Sequence, residues 1–172
     1  MDFYDIVYDF DFDDKLIRKL NFKKVFILGK DITFSNSRSD SRKDIGISSD
    51  IKTLEYFIQN RFNAVLIDDY TINKKIIAEI KEKNIILCFS LSSIMNVYGF
   101  ERSKIIYKMS KLFDYAKSKR INLCFASFAQ KPSHLASVMQ LIELAKLIGA
   151  DERYLRYCLS ETLKNLVDAH EK

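Results

Sequence analysis

The ten residues Asn84–Ser93, NIILCFSLSS, return in altered form as INLCFAS at Ile121–Ser127, and what lies between them decides the fold. Cys88 and Cys124 hold the same place in the two copies, 36 residues apart. Each copy is apolar on both faces, so each reads as a strand covered on both sides. Each also runs into serine: Ser90, Ser92 and Ser93 in the first, Ser127 in the second. The cover is supplied by the residues between. From Glu101 to Ser118, Ile105, Ile106, Met109, Leu112, Phe113 and Ala116 recur at helical spacing and form one apolar stripe. One interval is therefore one strand plus one crossover helix, and the serines fall at strand carboxyl ends, the edge where α/β folds bind ligands.

The same alternation extends both ways. Phe3–Asp9, Lys24–Leu28, Ile45–Ser48 and Ala64–Ile67 read as strands; Asp13–Leu20, Ile51–Phe62 and Ile72–Lys83 read as helices, the last two capped by Asp50 and Thr71. Residues 30–43, polar and serine-rich, read as a loop. Ser133–Ile148 reads as a helix stopped by Gly149, with Asp151 and Ser160 capping two short helices after it. Strand and helix alternating about six times predict an α/β fold with a parallel sheet.

The chain has 172 residues, 48% hydrophobic and 30% charged, which suits one folded domain over 1–172. No apolar run reaches the roughly 20 residues of a membrane span, so no membrane association is expected. Three widely spaced cysteines without CxxC spacing indicate neither a disulfide framework nor a zinc knuckle, and with the acidic start MDFYDIVYDFDFDD they point to a cytoplasmic protein.

Catalytic constellations are sparse. His134 and His170 are the two histidines, far apart, so no metal site is expected. Asp68 and Asp69 follow the strand AVLI, where a catalytic carboxylate could stand or where turn-forming acids commonly stand. Ser90, Ser92 and Ser127, with Gln130, either line a phosphate- or ribose-accepting edge or close the sheet through local hydrogen bonds. No serine lies in G-x-S-x-G, and four dispersed glycines form no phosphate loop. The alternative enzyme class is a small barrel-like phosphoesterase or other hydrolase built on these carboxylates and serines.

Charge is the positive signal. The net charge is +5, unevenly spread. The helix carries Arg102, Lys104, Lys108 and Lys111, with Lys117, Lys119 and Arg120 at its end, and the serine-rich loop carries Arg38, Arg42 and Lys43. Such clusters fit phosphate contacts, and cations also complement a helix C-terminus without binding anything.

Residues 84–168 resemble the ribonuclease P protein component 3 family, a subunit family of the archaeal and eukaryotic ribonucleoprotein that matures the 5′ end of transfer RNA. The resemblance lies in ILCFSLSSIM at Ile86–Met95, in a helix opening on Phe100, Glu101 and Arg102, and in NLCFASFAQKPSHLASVMQLIELAKLIGAD. In that last segment Ser127, Ala129, Gln130, Leu135, Leu141 and Gly149 match. The chain departs from the family at Phe128, where a small residue is usual, and at Ser133 and His134, where an arginine and an aspartate are usual; Lys131 supplies charge there but no bidentate fork. The resemblance implies a TIM-barrel-like fold; against the roughly 200 residues of a standard barrel, 172 residues and six strands read as a shortened one of about six βα units with extra C-terminal helices, at least one unit missing near the N-terminus. It implies a non-catalytic, RNA-binding subunit of a tRNA-processing endonuclease, without a cofactor of its own, the magnesium belonging to the RNA. The partners implied are RNase P RNA, precursor tRNA and RNase P protein component 2 in a heteromeric assembly.

Overall fold

The structure of the protein is a computed structural model, in which residues 2–38 and 44–168 are described. The elements run β1 (Tyr4–Val7), α1 (Asp14–Lys19), β2 (Lys24–Ile27), β3 (Phe34–Ser35), β4 (Ile45–Ser48), α2 (Ile51–Gln59), β5 (Ala64–Ile67) and α3 (Lys74–Glu82). They continue with β6 (Ile86–Ser90), α4 (Ser92–Met95), α5 (Gly99–Ser118), β7 (Leu123–Ala126), α6 (Val138–Lys146), α7 (Glu152–Tyr157) and α8 (Leu163–Asp168). Every strand pairing is parallel. Five strands form one sheet in the order β3-β4-β5-β6-β7, and β1 pairs with β2. The repeated strands are neighbours with Cys88 opposite Cys124, as the interval predicts. β1 leans on the end of β7: Phe128 N donates to Ile6 O at 2.8 Å and Tyr8 N to Ala129 O at 2.8 Å. Seven strands replace the expected six, because the loop read at 30–43 contains the short β3; among the described residues no helix stands between β2 and β4.

The repeat is also written in the turns. Asn21, Arg61, Asn84 and Arg120 all adopt a left-handed conformation, with φ between 54° and 65°. Each follows a helix and precedes a strand. Phe22, Phe62, Ile85 and Ile121, the next residues, are buried and donate back to Ile17, Phe57, Ile80 and Ala116, the six-to-one bond of a Schellman turn. One turn geometry thus feeds β2, β5, β6 and β7 into the sheet, with an apolar residue locking each entry.

Three helix starts differ from the sequence expectation. Thr71 is held by Asp69 in a local turn, and the cap of α3 is Asn73, whose side chain accepts from Lys75 N and Ile76 N. The helix expected at Ser133 begins at Val138, because Ser137 and Gln140 form a reciprocal capping box; Pro132–His134 is a single tight 3₁₀ turn. Ser160 is not a cap. It lies in a π turn, Cys158–Thr162, joining α7 to α8, and bonds back to Arg156 O at 2.7 Å. This C-terminal segment buries Leu155, Leu159, Leu163 and Leu166 and packs against β1 and β7.

The core is aromatic under β6 and β7, where Phe89 stacks on Phe125 with centroids 5.1 Å apart and Phe113 closes on both. Under β4 it is tighter. A Cβ on Gly46 would sit 2.3 Å from the fully buried ring of Phe57, which is itself wedged 4.7 Å from Phe62. Both rings are buried. Gly46→Ala is therefore expected to cost about 1–3 kcal/mol by overpacking, read as a lower urea midpoint with an unchanged slope; an unaltered midpoint would mean that β4 and α2 separate freely.

Candidate nucleic-acid interface

At the carboxyl edge of β6 and β7 the serines point inward. Ser90, Ser92 and Ser127 are buried. Ser90 Oγ lies 3.3 Å from Ser92 Oγ and from Ser127 O, Ser92 Oγ donates to Phe128 O at 3.2 Å, and Ser127 Oγ donates to Ile6 O at 3.4 Å while accepting from Ala129 N. The three hydroxyls stitch β6, β7 and β1 together, which is the local-hydrogen-bond reading of the edge. Gln130 alone of that group is exposed. Asp69 accepts from Thr71 N and Oγ1, an Asx turn, and Asp68 is exposed. Tyr70 and Phe128, both bulky and both at positive φ, bracket this edge. Tyr70 is buried with its phenol donating to Ser93 Oγ at 2.9 Å, and burial pushes it up to about 12.

Beneath the serines sits Asp5, fully buried in β1. Its Oδ1 accepts from Ile6 N at 2.9 Å and Ser127 N at 2.6 Å; its Oδ2 has no partner. Burial outweighs these hydrogen bonds and raises its carboxyl from 3.8 to about 7. Among the described residues no three His, Cys, Asp or Glu side chains converge as a metal site would require. His134 has a buried, unpartnered Nδ1, and burial, then Lys131, lowers its pKa; His170 lies outside the described residues. The thiols of Cys88, Cys124 and Cys158 are buried; Cys124 is raised by its hydrogen bond with Cys88 and by burial.

The 20 residues of α5 run about 30 Å. Met109, Leu112, Phe113 and Ala116 are buried and Ile105 and Ile106 half-buried, the stripe the spacing predicts. The opposite face is basic, but its cations are not equivalent. Lys104 and Lys111 are exposed; Lys104 stands 3.9 Å from Glu101. Lys108 is half-buried, its ammonium donating to Asp69 O at 3.2 Å, so it braces the loop after β5. Arg102 donates from Nε to Val97 O at 2.8 Å and lies over Tyr98. Lys119 stands over Tyr115.

The predicted cations therefore do not form one cluster. Arg102 and Lys131 sit at the carboxyl edge of the strands, Lys119 and Arg120 at the amino edge, with α5 spanning the distance. Arg38 is exposed; Arg42 and Lys43 lie outside the described residues. The amino edge holds basic residues that sequence reading passed over. Arg61 and Lys83 line a cleft of about 480 Å³ between the starts of β5, β6 and β7 and the C-terminal helices, and Lys81 donates to Arg120 O at 2.8 Å. All three end or follow helices, so in sequence they pass for dipole complements. A separate open groove of about 470 Å³ between α4 and α6 is lined by Met95, Met139, Leu144 and Leu147. Also passed over as contact residues were the exposed rings of Tyr98, at the N-cap of α5, and of Phe100 and Tyr107, for which two aromatics seven residues apart on one helix face were the signal.

Neither a protein-family model nor a curated protein matches the sequence. Solved structures do. A chain in the cryo-EM structure of archaeal ribonuclease P with mature tRNA is similar over 96% of this chain and 80% of its own length, with a TM-score of 0.67 at 13% identity. Ochratoxinase from A. niger is similar over 72% of this chain but 30% of its own, with a TM-score of 0.55 at 11% identity. A Xaa-Pro dipeptidase with bound methionine is similar over 74% of this chain and 34% of its own, with a TM-score of 0.53 at 12% identity. At these identities the shared feature is the fold.

Proposed function

We propose that this chain is a non-catalytic protein subunit of a ribonuclease P, of the component 3 type, acting in a cytoplasmic ribonucleoprotein. The likeness that carries the reading is the one to the ribonuclease P chain, because it takes in 96% of this chain and 80% of that one, whereas the enzymes share about a third of themselves. In this reading the parallel strands β1 to β7 are an incomplete barrel, sealed between β7 and β1 by the Asp5 and serine bonds. Its carboxyl edge, an active-site edge in barrel enzymes, is filled by structural hydroxyls. Cleavage then belongs to the RNA, with its magnesium. The protein contributes phosphate contacts from α5 and from the basic amino edge, which position without reading sequence. A partner of the component 2 type completes the assembly; the apolar groove of Met95, Met139, Leu144 and Leu147 is a surface of the kind that marks an interface.

Reconstitution tests this. RNase P RNA and its other proteins, assembled with and without the chain, are expected to differ in precursor cleavage at low magnesium, where charge neutralisation by protein matters most. The chain alone is expected to cleave no phosphodiester. Cleavage by the isolated chain, or cleavage at low magnesium indifferent to its presence, would overturn the reading.

A further inference from the structure

The outward face of α5 repeats one spacing twice: an aromatic, then a cation four residues later. The pairs are Phe100 and Lys104, Tyr107 and Lys111; the N-cap Tyr98 and the half-buried Arg102 stand off this face, at the start of the helix. Residues four apart share a helix face. The Arg102 guanidinium lies 5.0 Å from the Tyr98 ring centre and the Lys111 ammonium 5.6 Å from that of Tyr107. A cation over a ring explains the pairing but not the exposure. The rings of Phe100 and Tyr107 belong to residues 80% and 63% exposed, and nothing among the described residues buries them. Aromatic side chains gain most from burial, so two bare rings on one helix face mark a contact surface.

We propose that this face is a stacking platform for an unpaired RNA strand, with bases on the rings of Phe100 and Tyr107 and phosphates on Lys104 and Lys111. The inference rests on the RNA reading above and adds which RNA and which atoms. Phe100 and Tyr107 are two helical turns apart, roughly 10 Å, about three times the rise between successive bases in a duplex. Bases held on both rings are therefore splayed, and only unpaired nucleotides expose the faces that rings require. Lys104 lies between the two rings along the helix, where the backbone joining those bases must pass. Charge separates this occupant from a protein one. The acids of α5 are Glu101 and Asp114 against five cations, and a polyanion is the complement of that balance.

The test uses the full chain with an unstructured oligouridylate and an RNA duplex as probes. Phe100→Leu and Tyr107→Leu keep apolar bulk and helix propensity but remove the π face. Each is expected to weaken oligouridylate binding roughly tenfold, to leave the salt slope unchanged because no phosphate contact is lost, and to leave duplex binding alone. The chain has no tryptophan, so tyrosine emission should fall on binding, and less so in Tyr107→Leu. Circular dichroism shows that the helix is intact. Leucine variants that bind oligouridylate as tightly as the unaltered chain would overturn the proposal while sparing the RNA reading; if those variants fail to assemble with the other protein subunits, the face is a protein interface. An unaltered chain that binds neither probe at low salt would overturn both.

Discussion

As pH rises from 3.8 to about 7, the folded chain is expected to lose about 4 kcal/mol of stability through Asp5 alone. In the unfolded chain the carboxyl ionises near 3.8. In the fold, burial holds it protonated until about 7, against the opposing effect of Ser127 and Ile6. Between those values the native state binds the extra proton, so stability falls with pH across the window and is flat on either side. Three pH units at about 1.36 kcal/mol each give the magnitude. Asp2, Asp50 and Glu152, lowered by hydrogen bonds to Lys23, Thr53 and Arg156, act with the opposite sign at lower pH. They are solvent-exposed, so their part is small. Asp5→Asn isolates the effect. It keeps an oxygen for the Ile6 and Ser127 amides but cannot ionise. Subtracting its urea-derived stability profile from that of the unaltered chain should leave a curve descending between pH 4 and 7. A level difference would show that water or a proton partner reaches Oδ2. The consequence is architectural, because Asp5 joins β1 to β7.

Much of this fold was legible because the residues that specify it are local. The strands AVLI, ILCFS and LCFA are apolar on both faces, and Asp50 and Asp151 start helices where their chemistry says they should. Two of the misplaced starts share one cause. Thr71 and Ser133 are good capping residues, but so are Asn73 and Ser137, and only the packed helix decides which one its first turn meets; Ser160 lies inside the π turn instead. Asp5 was illegible for a related reason. A carboxylate in a buried strand is visible in the sequence, but its partner Ser127 is 122 residues away. For the candidate interface, the charges were legible and their availability was not. Lys108 and Lys104 stand in one row by spacing, yet the loop carbonyl of Asp69 occupies the first. Arg61 and Lys83 acquire meaning only when the sheet gathers the ends of separate helices around one cleft.

That distinction sets the second large effect. Changing Lys104 and Lys111 together to glutamine is expected to lower affinity for RNase P RNA roughly 25- to 60-fold at 0.1 M salt, and to reduce the log–log salt slope by about 1.4 to 1.8 units. These figures follow from two phosphates at about 0.7 each for single strands or 0.9 for a duplex. Lys108 is left in place because its loss would also release the loop after β5. Both altered lysines are exposed, and glutamine matches lysine in helix propensity, so the fold is expected to survive. The ion pair of Lys104 with Glu101 at 3.9 Å is surface-exposed and too weak to hold the helix. A solvated face that binds nothing predicts an unchanged slope, whatever the affinity. An unchanged slope would remove α5 from the phosphate path and leave Arg61, Lys83 and Arg120 at the amino edge as the next cations to alter. A reduced slope, set beside leucine variants that lower affinity at constant slope, would separate the two contributions on one helix face: phosphates counted by salt, bases by the rings.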